Sequence, residues 1–284
     1  MRELWSLMRR DGPVIVNVPH AGIVVPDACA ARLTAEARRC PDTDWHVEKL
    51  YAAVAPEHGA TLMWAGFSRI VVDLNRDPSG IALYPDASNT GICPISTFHD
   101  EPVYRNGMSP DATEIAQRVR QYWRPYHAQL AAEIERIKAR HGYCVLLDGH
   151  SIVSEAPRFF SGRLPDLNLG TADGASCDPT LADAAFAVLA GARGFTAVHN
   201  GRFKGGYITR HYGRPAECVH ALQLEMAQSC YMEEIVESRH AEYDSERATP
   251  LKKVLESLIQ TLLAWRPVPG EQFNPETAVS RSKK

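Results

Sequence analysis

Two histidines in this 284-residue chain stand where apolar runs give way to polar residues. Val14 to Val18 leads into Pro19-His20-Ala21-Gly22, and Tyr143 to Leu147 leads into Asp148-Gly149-His150-Ser151. Imidazoles joined by one carboxylate make a typical catalytic metal site, with a position left for water. The carboxylate is sought in Pro41-Asp42-Thr43-Asp44-Trp45-His46-Val47-Glu48, read as the start of a helix running through Leu50 and Tyr51. One aspartate there can cap the helix while the other binds metal. Asp44 is the first choice as ligand, Asp42 the second and Glu48 the third. Two more polar interruptions follow apolar runs: Asn75-Arg76-Asp77-Pro78 after Arg69 to Leu74, and Glu225 after Val219 to Leu224. In an open α/β sheet, ligands bind beyond the carboxyl ends of the strands, so these places are expected to meet.

Other chemistries fit less well. Gly149-His150-Ser151-Ile152-Val153 lacks the closing glycine of a nucleophile elbow, and no His-Glu-x-x-His segment occurs. Gly201-Arg202-Phe203-Lys204-Gly205-Gly206 does not have the form of a phosphate loop, which argues against a nucleotide-dependent reaction.

The elements that must position these groups are short apolar runs alternating with segments of helical period, the pattern of an α/β sheet. Strands are expected at Val14–Val18, Arg69–Leu74, Tyr143–Asp148, Thr196–His199 and Val219–Glu225. Ile115, Val119, Tyr122, Tyr126, Leu130, Ile134 and Ile137 recur every three or four residues and predict a helix between Ser109 and Arg140, kinked at Pro125. A second helix is expected from Pro250 to Trp265, with proline at its first position. The length suits one domain over residues 1–266, and the Pro-, Gly-, Ser- and Lys-rich stretch 267–284 reads as a surface tail.

A formal net charge of -3, with both signs mixed, gives no nucleic-acid or membrane surface; the expected partner is a small molecule. Seven cysteines, widely spaced and with no Cys-x-x-Cys, read as a reducing cytoplasm. No signal peptide or membrane span is expected.

With these residues in view, the sequence resembles the N-formylglutamate amidohydrolase family from Asn17-Val18-Pro19-His20-Ala21-Gly22 to Leu224-Glu225-Met226. The shared motifs are Asp42-Thr43-Asp44-Trp45-His46-Val47 with Leu50-Tyr51, Val72-Asp73-Leu74-Asn75-Arg76-Asp77-Pro78, Asp148-Gly149-His150-Ser151, Leu164 to Thr171, and Phe203 to Gly213. The resemblance implies a single mixed α/β sheet with helices on both faces, like that of the zinc carboxypeptidases. It also implies an order of His, carboxylate, Asn-Arg, His and general-base Glu, which His20, Asp44, Asn75-Arg76, His150 and Glu225 supply. The chain departs from those relatives in lacking a His-x-x-Glu pair, since no acid follows His20 until Asp27.

The implied reaction is metal-dependent cleavage of N-formyl-L-glutamate, the last step of histidine breakdown, with zinc as the expected ion. A substrate with two carboxylates calls for guanidinium forks. Arg76 and Arg210 are the expected clamps; Asn75, Asn168 and Arg163 are expected to assist in binding, with Lys204 a weaker candidate. Gly205 and Gly206 would let backbone approach the ligand. His211, His46 and His199 are equally well read as surface or supporting residues. The alternatives are a related N-acyl amino-acid amidohydrolase and a noncatalytic small-ligand binding protein on the same fold.

Overall fold

Seven strands form one mixed sheet in the order β1-β3-β2-β4-β7-β5-β6. They are β1 Trp5–Met8, β2 Val14–Val18, β3 Thr61–Ala65, β4 Cys144–Ile152, β5 Leu167–Gly170, β6 Ala197–His199 and β7 Val219–Ala227. The computed structural model describes residues 3–81, 90–234 and 242–268. Strands β3, β2, β4 and β7 run parallel; β1 joins β3 antiparallel at one edge, and β5 joins β7 antiparallel with β6 parallel beyond it.

The helices are α1 Asp27–Ala30, α2 Val47–Ala52, α3 Ala112–Arg118, α4 Arg124–His141, α5 Pro179–Ala190, α6 Tyr207–Tyr212 and α7 Ser245–Ala264. Alternation along the strands divides the core. Val14, Val16, Val18, Val145, Leu147, Leu222 and Leu224 pack with residues of α2, α5 and α7 on one face. Ile15, Leu146 and Ala221 face α4 and the segment around Ile70 to Leu74 on the other. Helices therefore cover both faces of a mixed sheet, as expected. The second face also carries the polar residues of the strands, because Asn17, Asp148, His150, Gln223 and Glu225 share the alternation of Ile15, Leu146 and Ala221.

Several local expectations are corrected. Arg69–Leu74 is no strand: Ile70, Val71, Val72 and Leu74 are buried in a series of turns. A fully buried apolar run has no period to tell turn from strand. β1, β3 and β5 were not anticipated. The long helix is broken into α3 and α4 by a π-helical turn, Val119–Trp123, directly before Pro125; a proline without N–H is accommodated by widening the preceding turn. α7 begins at Ser245, where the Asp244 side chain accepts the N–H groups of Glu246 and Arg247, so Pro250 lies inside the helix rather than at its start. Neither Asp42 nor Asp44 caps α2, whose N-cap is His46 in a left-handed conformation (φ 62°). Of the expected tail, residues 269–284 fall outside the described residues.

Candidate metal centre

His20 follows the end of β2, His150 lies inside β4, and Asp44 sits in the loop before α2, where its N–H donates to the His20 carbonyl. One potential ligand atom from each of His20, Asp44 and His150 lies within 4.8 Å of the others, and among the described residues theirs is the one such cluster of three or more. The two rings are 4.9 Å apart between centroids. Asp44 Oδ2 stands 3.0 Å from His150 Nδ1 and 3.6 Å from His20 Nδ1. The far nitrogens are held by other carboxylates: His20 Nε2–H donates to Asp73 Oδ1 at 2.8 Å and His150 Nε2–H to Asp148 Oδ2 at 2.8 Å. In the ligating form, with Nε2 carrying the proton in each ring, both Nδ1 lone pairs would face inward beside the Asp44 carboxylate. Metal-binding histidines are oriented by carboxylates in this way.

Two observations show that a metal ion suits this donor set. His20 Nδ1 is buried and has no hydrogen-bond partner among the described residues, a costly state for a polar atom unless something else satisfies it. The carboxylates of Asp44, Asp73 and Asp148 are all buried, and one guanidinium, that of Arg69, lies 3.4 Å from Asp44 and 2.7 Å from Asp73. Such an excess of buried negative charge favours a cation. Burial would raise the Asp44 carboxyl, but His20 and His150 outweigh it and hold Asp44 well below the usual carboxylate range. Burial, reinforced by Asp44 and Asp148, pushes Glu225 up to about 8 against the pull of His150 and Arg69.

The three potential ligands line a cavity with Arg69, Asn75, Arg76, Phe98, Ser151, Ile152, Phe159, Arg202, Phe203, Gly206, Gln223 and Glu225. Arg76 is anchored by Nε and Nη2 to the carbonyl and hydroxyl of Thr90. It also lines a neighbouring groove with Asn75, Asp77, Ile81, Tyr207, Arg210 and His211. Arg210 thus stands in the groove and not in the cavity. Asn75 is a bracket as much as a wall: its Oδ1 accepts the Ile208 N–H at 2.8 Å, and its Nδ2 donates to Asp148 Oδ2 at 3.4 Å. Gly206 is required beside it, since a Cβ there would lie 2.2 Å from Asn75 Nδ2. The close approach that Gly206 permits is to Asn75, where a ligand had been expected.

Other expected site residues lie elsewhere. Asn168 is on β5, opposite Glu225, but its amide holds the carbonyls of Pro165 and Glu225 and does not line the cavity. Arg163 is exposed and bonded to Ser229, and Lys204 pairs with Asp173. Asp42 accepts the Phe98 N–H, and Glu48 lies outside the three-residue cluster. His46 packs near Tyr243, and His199 bonds Thr171. Asp73, Asp148, Arg69, Gln223 and Arg202 were not anticipated. For Asp148 and Gln223 the signal was present: each precedes a singled-out strand residue by two positions and so shares its face.

Comparison with known proteins places this geometry in context. Residues 12–232 match the family described as N-formylglutamate amidohydrolase. Over 265 residues the chain is 47% identical to the N-formylglutamate deformylase of Pseudomonas putida, spanning 93% of this chain and 97% of that protein. It is likewise 47% identical to that of Pseudomonas aeruginosa, over 93% and 98% of the two chains. The crystal structure of an N-formylglutamate amidohydrolase from Ralstonia eutropha superimposes with a TM-score of 0.75 at 28% identity, covering 91% of this chain and 97% of that one.

Proposed function

This chain belongs to the N-formylglutamate amidohydrolase family, and we propose that it hydrolyses N-formyl-L-glutamate to formate and L-glutamate at a divalent metal ion, with zinc as the ion that best suits two imidazoles and a carboxylate. The observation that carries the reading is the convergence of His20, His150 and Asp44 in a cavity that also holds Glu225 and arginines.

A divalent ion held by His20, Asp44 and His150 supplies Lewis acidity toward the formyl oxygen and a water acidic enough to react at neutral pH. Glu225 carries the proton. It accepts one as water adds to the formyl carbon and delivers it to the nitrogen as the C–N bond breaks; the water's second proton passes from the departing formic acid to the amine, so formate and the ammonium group of glutamate leave and Glu225 returns to its starting state.

Substrate carboxylates are read by the planar forks of Arg76 and Arg202 on the cavity wall, with Asn75 beside Arg76. Arg210, in the adjoining groove, meets the anionic substrate as it enters. Asn168, opposite Glu225 on β5, and Arg163 would assist from outside the cavity wall. The free thiols of all seven cysteines support a cytoplasmic location.

The test is formate release by the zinc-loaded protein from N-formylglutamate, N-formylaspartate and N-formylmethionine. Preference for the first is expected. Comparable kcat/KM on all three would replace this reading with a general N-acyl amino-acid amidohydrolase.

A further inference from the structure

A series of buried hydrogen bonds runs from helix α4 through the sheet to His150. The Tyr126 hydroxyl donates to Asn17 Oδ1 at 2.6 Å, Asn17 Nδ2 donates to Asp148 Oδ1 at 2.7 Å, and Asp148 Oδ2 accepts from His150 Nε2 at 2.8 Å. Tyr126, Asn17 and Asp148 are each 0% exposed, and His150 is 3% exposed. Three elements contribute: α4, β2 and β4.

The series has a direction. A phenol has one proton, and a carboxylate only accepts. The amide of Asn17 can serve both neighbours in one orientation alone, with oxygen toward Tyr126 and nitrogen toward Asp148. Asp148 then has one oxygen engaged by Asn17 and the other turned to His150 Nε2, which fixes the proton on that nitrogen and leaves Nδ1 to face Asp44. Rotation of the amide would set its oxygen against the Asp148 carboxylate among fully buried side chains.

We infer that Tyr126 and Asn17 are positioning residues of the metal centre, acting through Asp148 to hold His150 in the ligating tautomer and orientation. The π-helical turn at Val119–Trp123 is the means by which α4 delivers this contact. From that turn onward, Trp123 Nε1 donates to the Arg76 carbonyl at 3.2 Å and His127 Nε2 to the Leu74 carbonyl at 2.9 Å, so one helix start grips both the Asn75-Arg76 corner and the brace behind His150.

The inference rests on His150 being a ligand, and the test separates the two ideas. Zinc affinity is measured by chelator competition, and melting temperature is measured with and without zinc, for the unmodified protein, Tyr126→Phe and Tyr143→Phe. Tyr143 is the control, since its hydroxyl donates to the Trp265 carbonyl away from the site. Loss of the direct outer partner of a ligating histidine weakens metal binding by about tenfold or more, and loss of Tyr126, two hydrogen bonds further out, is expected to weaken zinc binding by at least about threefold. Tyr126→Phe should therefore show that loss and a smaller zinc-induced rise in melting temperature, while Tyr143→Phe keeps both.

Affinity within about twofold of the unmodified protein, whatever the metal-free melting temperature, overturns the positioning role. An unmodified protein that binds no zinc overturns the metal centre itself. Should Tyr126→Phe not fold, Asn17→Asp is measured in its place. It keeps the shape of Asn17 but sets a carboxylate against Asp148, and unchanged affinity there overturns the inference equally.

Discussion

His150 and Glu225 stand opposite one another on the neighbouring parallel strands β4 and β7, in direct register. Partners in register project to the same face of a sheet, so an imidazole that orients toward Asp44 and the carboxylate proposed to carry protons are set side by side by backbone pairing, independent of any loop. This gives Glu225 a fixed place from which to act.

Glu225→Gln keeps the shape of that side chain and removes its basicity. Turnover of N-formylglutamate is expected to fall by about a hundredfold or more, with metal content and melting temperature close to those of the unmodified enzyme. Near-normal turnover in metal-replete Glu225→Gln would remove Glu225 from the mechanism.

Stripping the metal with a chelator is expected to abolish activity and lower the melting temperature, both returning on addition of zinc. A ligand at a thousandfold excess over its Kd stabilises the folded state by about 4 kcal/mol. Asp44→Asn should bind zinc far more weakly yet still fold, because an amide oxygen can accept the Ser151 N–H that Asp44 Oδ2 now accepts at 3.2 Å. Tight, stoichiometric zinc in Asp44→Asn would show that Asp44 is not a ligand.

Placement distinguishes the arginines. Arg76→Lys and Arg202→Lys keep the charge and lose the fork, so each should reduce kcat/KM for N-formylglutamate by about tenfold or more beyond any effect on N-formylmethionine. Arg210→Lys, altering the groove and not the cavity, should leave that ratio nearly unchanged. The opposite ranking, with Arg210 dominant, would move the carboxylate reader into the groove.

Acid stability should carry a histidine signature. Burial pushes His127 down to about 3 and His220 to about 4, whereas both titrate near 6.5 when the chain is unfolded. A depressed folded pKa means that only the unfolded chain takes up the proton in the window between. The stabilisation is thus complete above about pH 6.5 and is lost as pH falls toward the folded values. For His127 the loss by pH 4 is on the order of 3 kcal/mol. Urea midpoints across pH 7 to 4 should fall steeply, and His127→Gln, less stable at pH 7, should show a shallower slope. An unchanged slope would mean that His127 is already charged in the folded protein.

The cluster of His20, Asp44 and His150 was legible because an imidazole or carboxylate next to an apolar strand is conspicuous in one dimension. Its supports were harder to read. Asp73 looked like part of a strand, and only the turns that replace that strand bring it to His20 Nε2. Arg69 was read as the first residue of the same strand, yet it joins Asp44 and Asp73 from within the core. Asn168 lies on the site's face of the sheet, opposite Glu225, with its amide nitrogen engaged by nearby carbonyls. Arg202 gave no periodic signal at all, since it sits in a loop whose place depends on Phe159 and its carbonyl. Polar residues declare their chemistry in sequence, and the partners that engage them are decided by tertiary structure.

Strand β7 lies between β4 and β5 although it is last of the three along the chain. A polypeptide emerging from the ribosome therefore presents both histidines and Asp44 while the gap between those two strands is still open. Pairing across such long separations is slow, and the walls of the pocket close only when the segment bearing Glu225 slides into the gap. The residues that face one another across β4 and β7, His150 and Glu225 among them, are thus brought together by the last strand of the chain to be made.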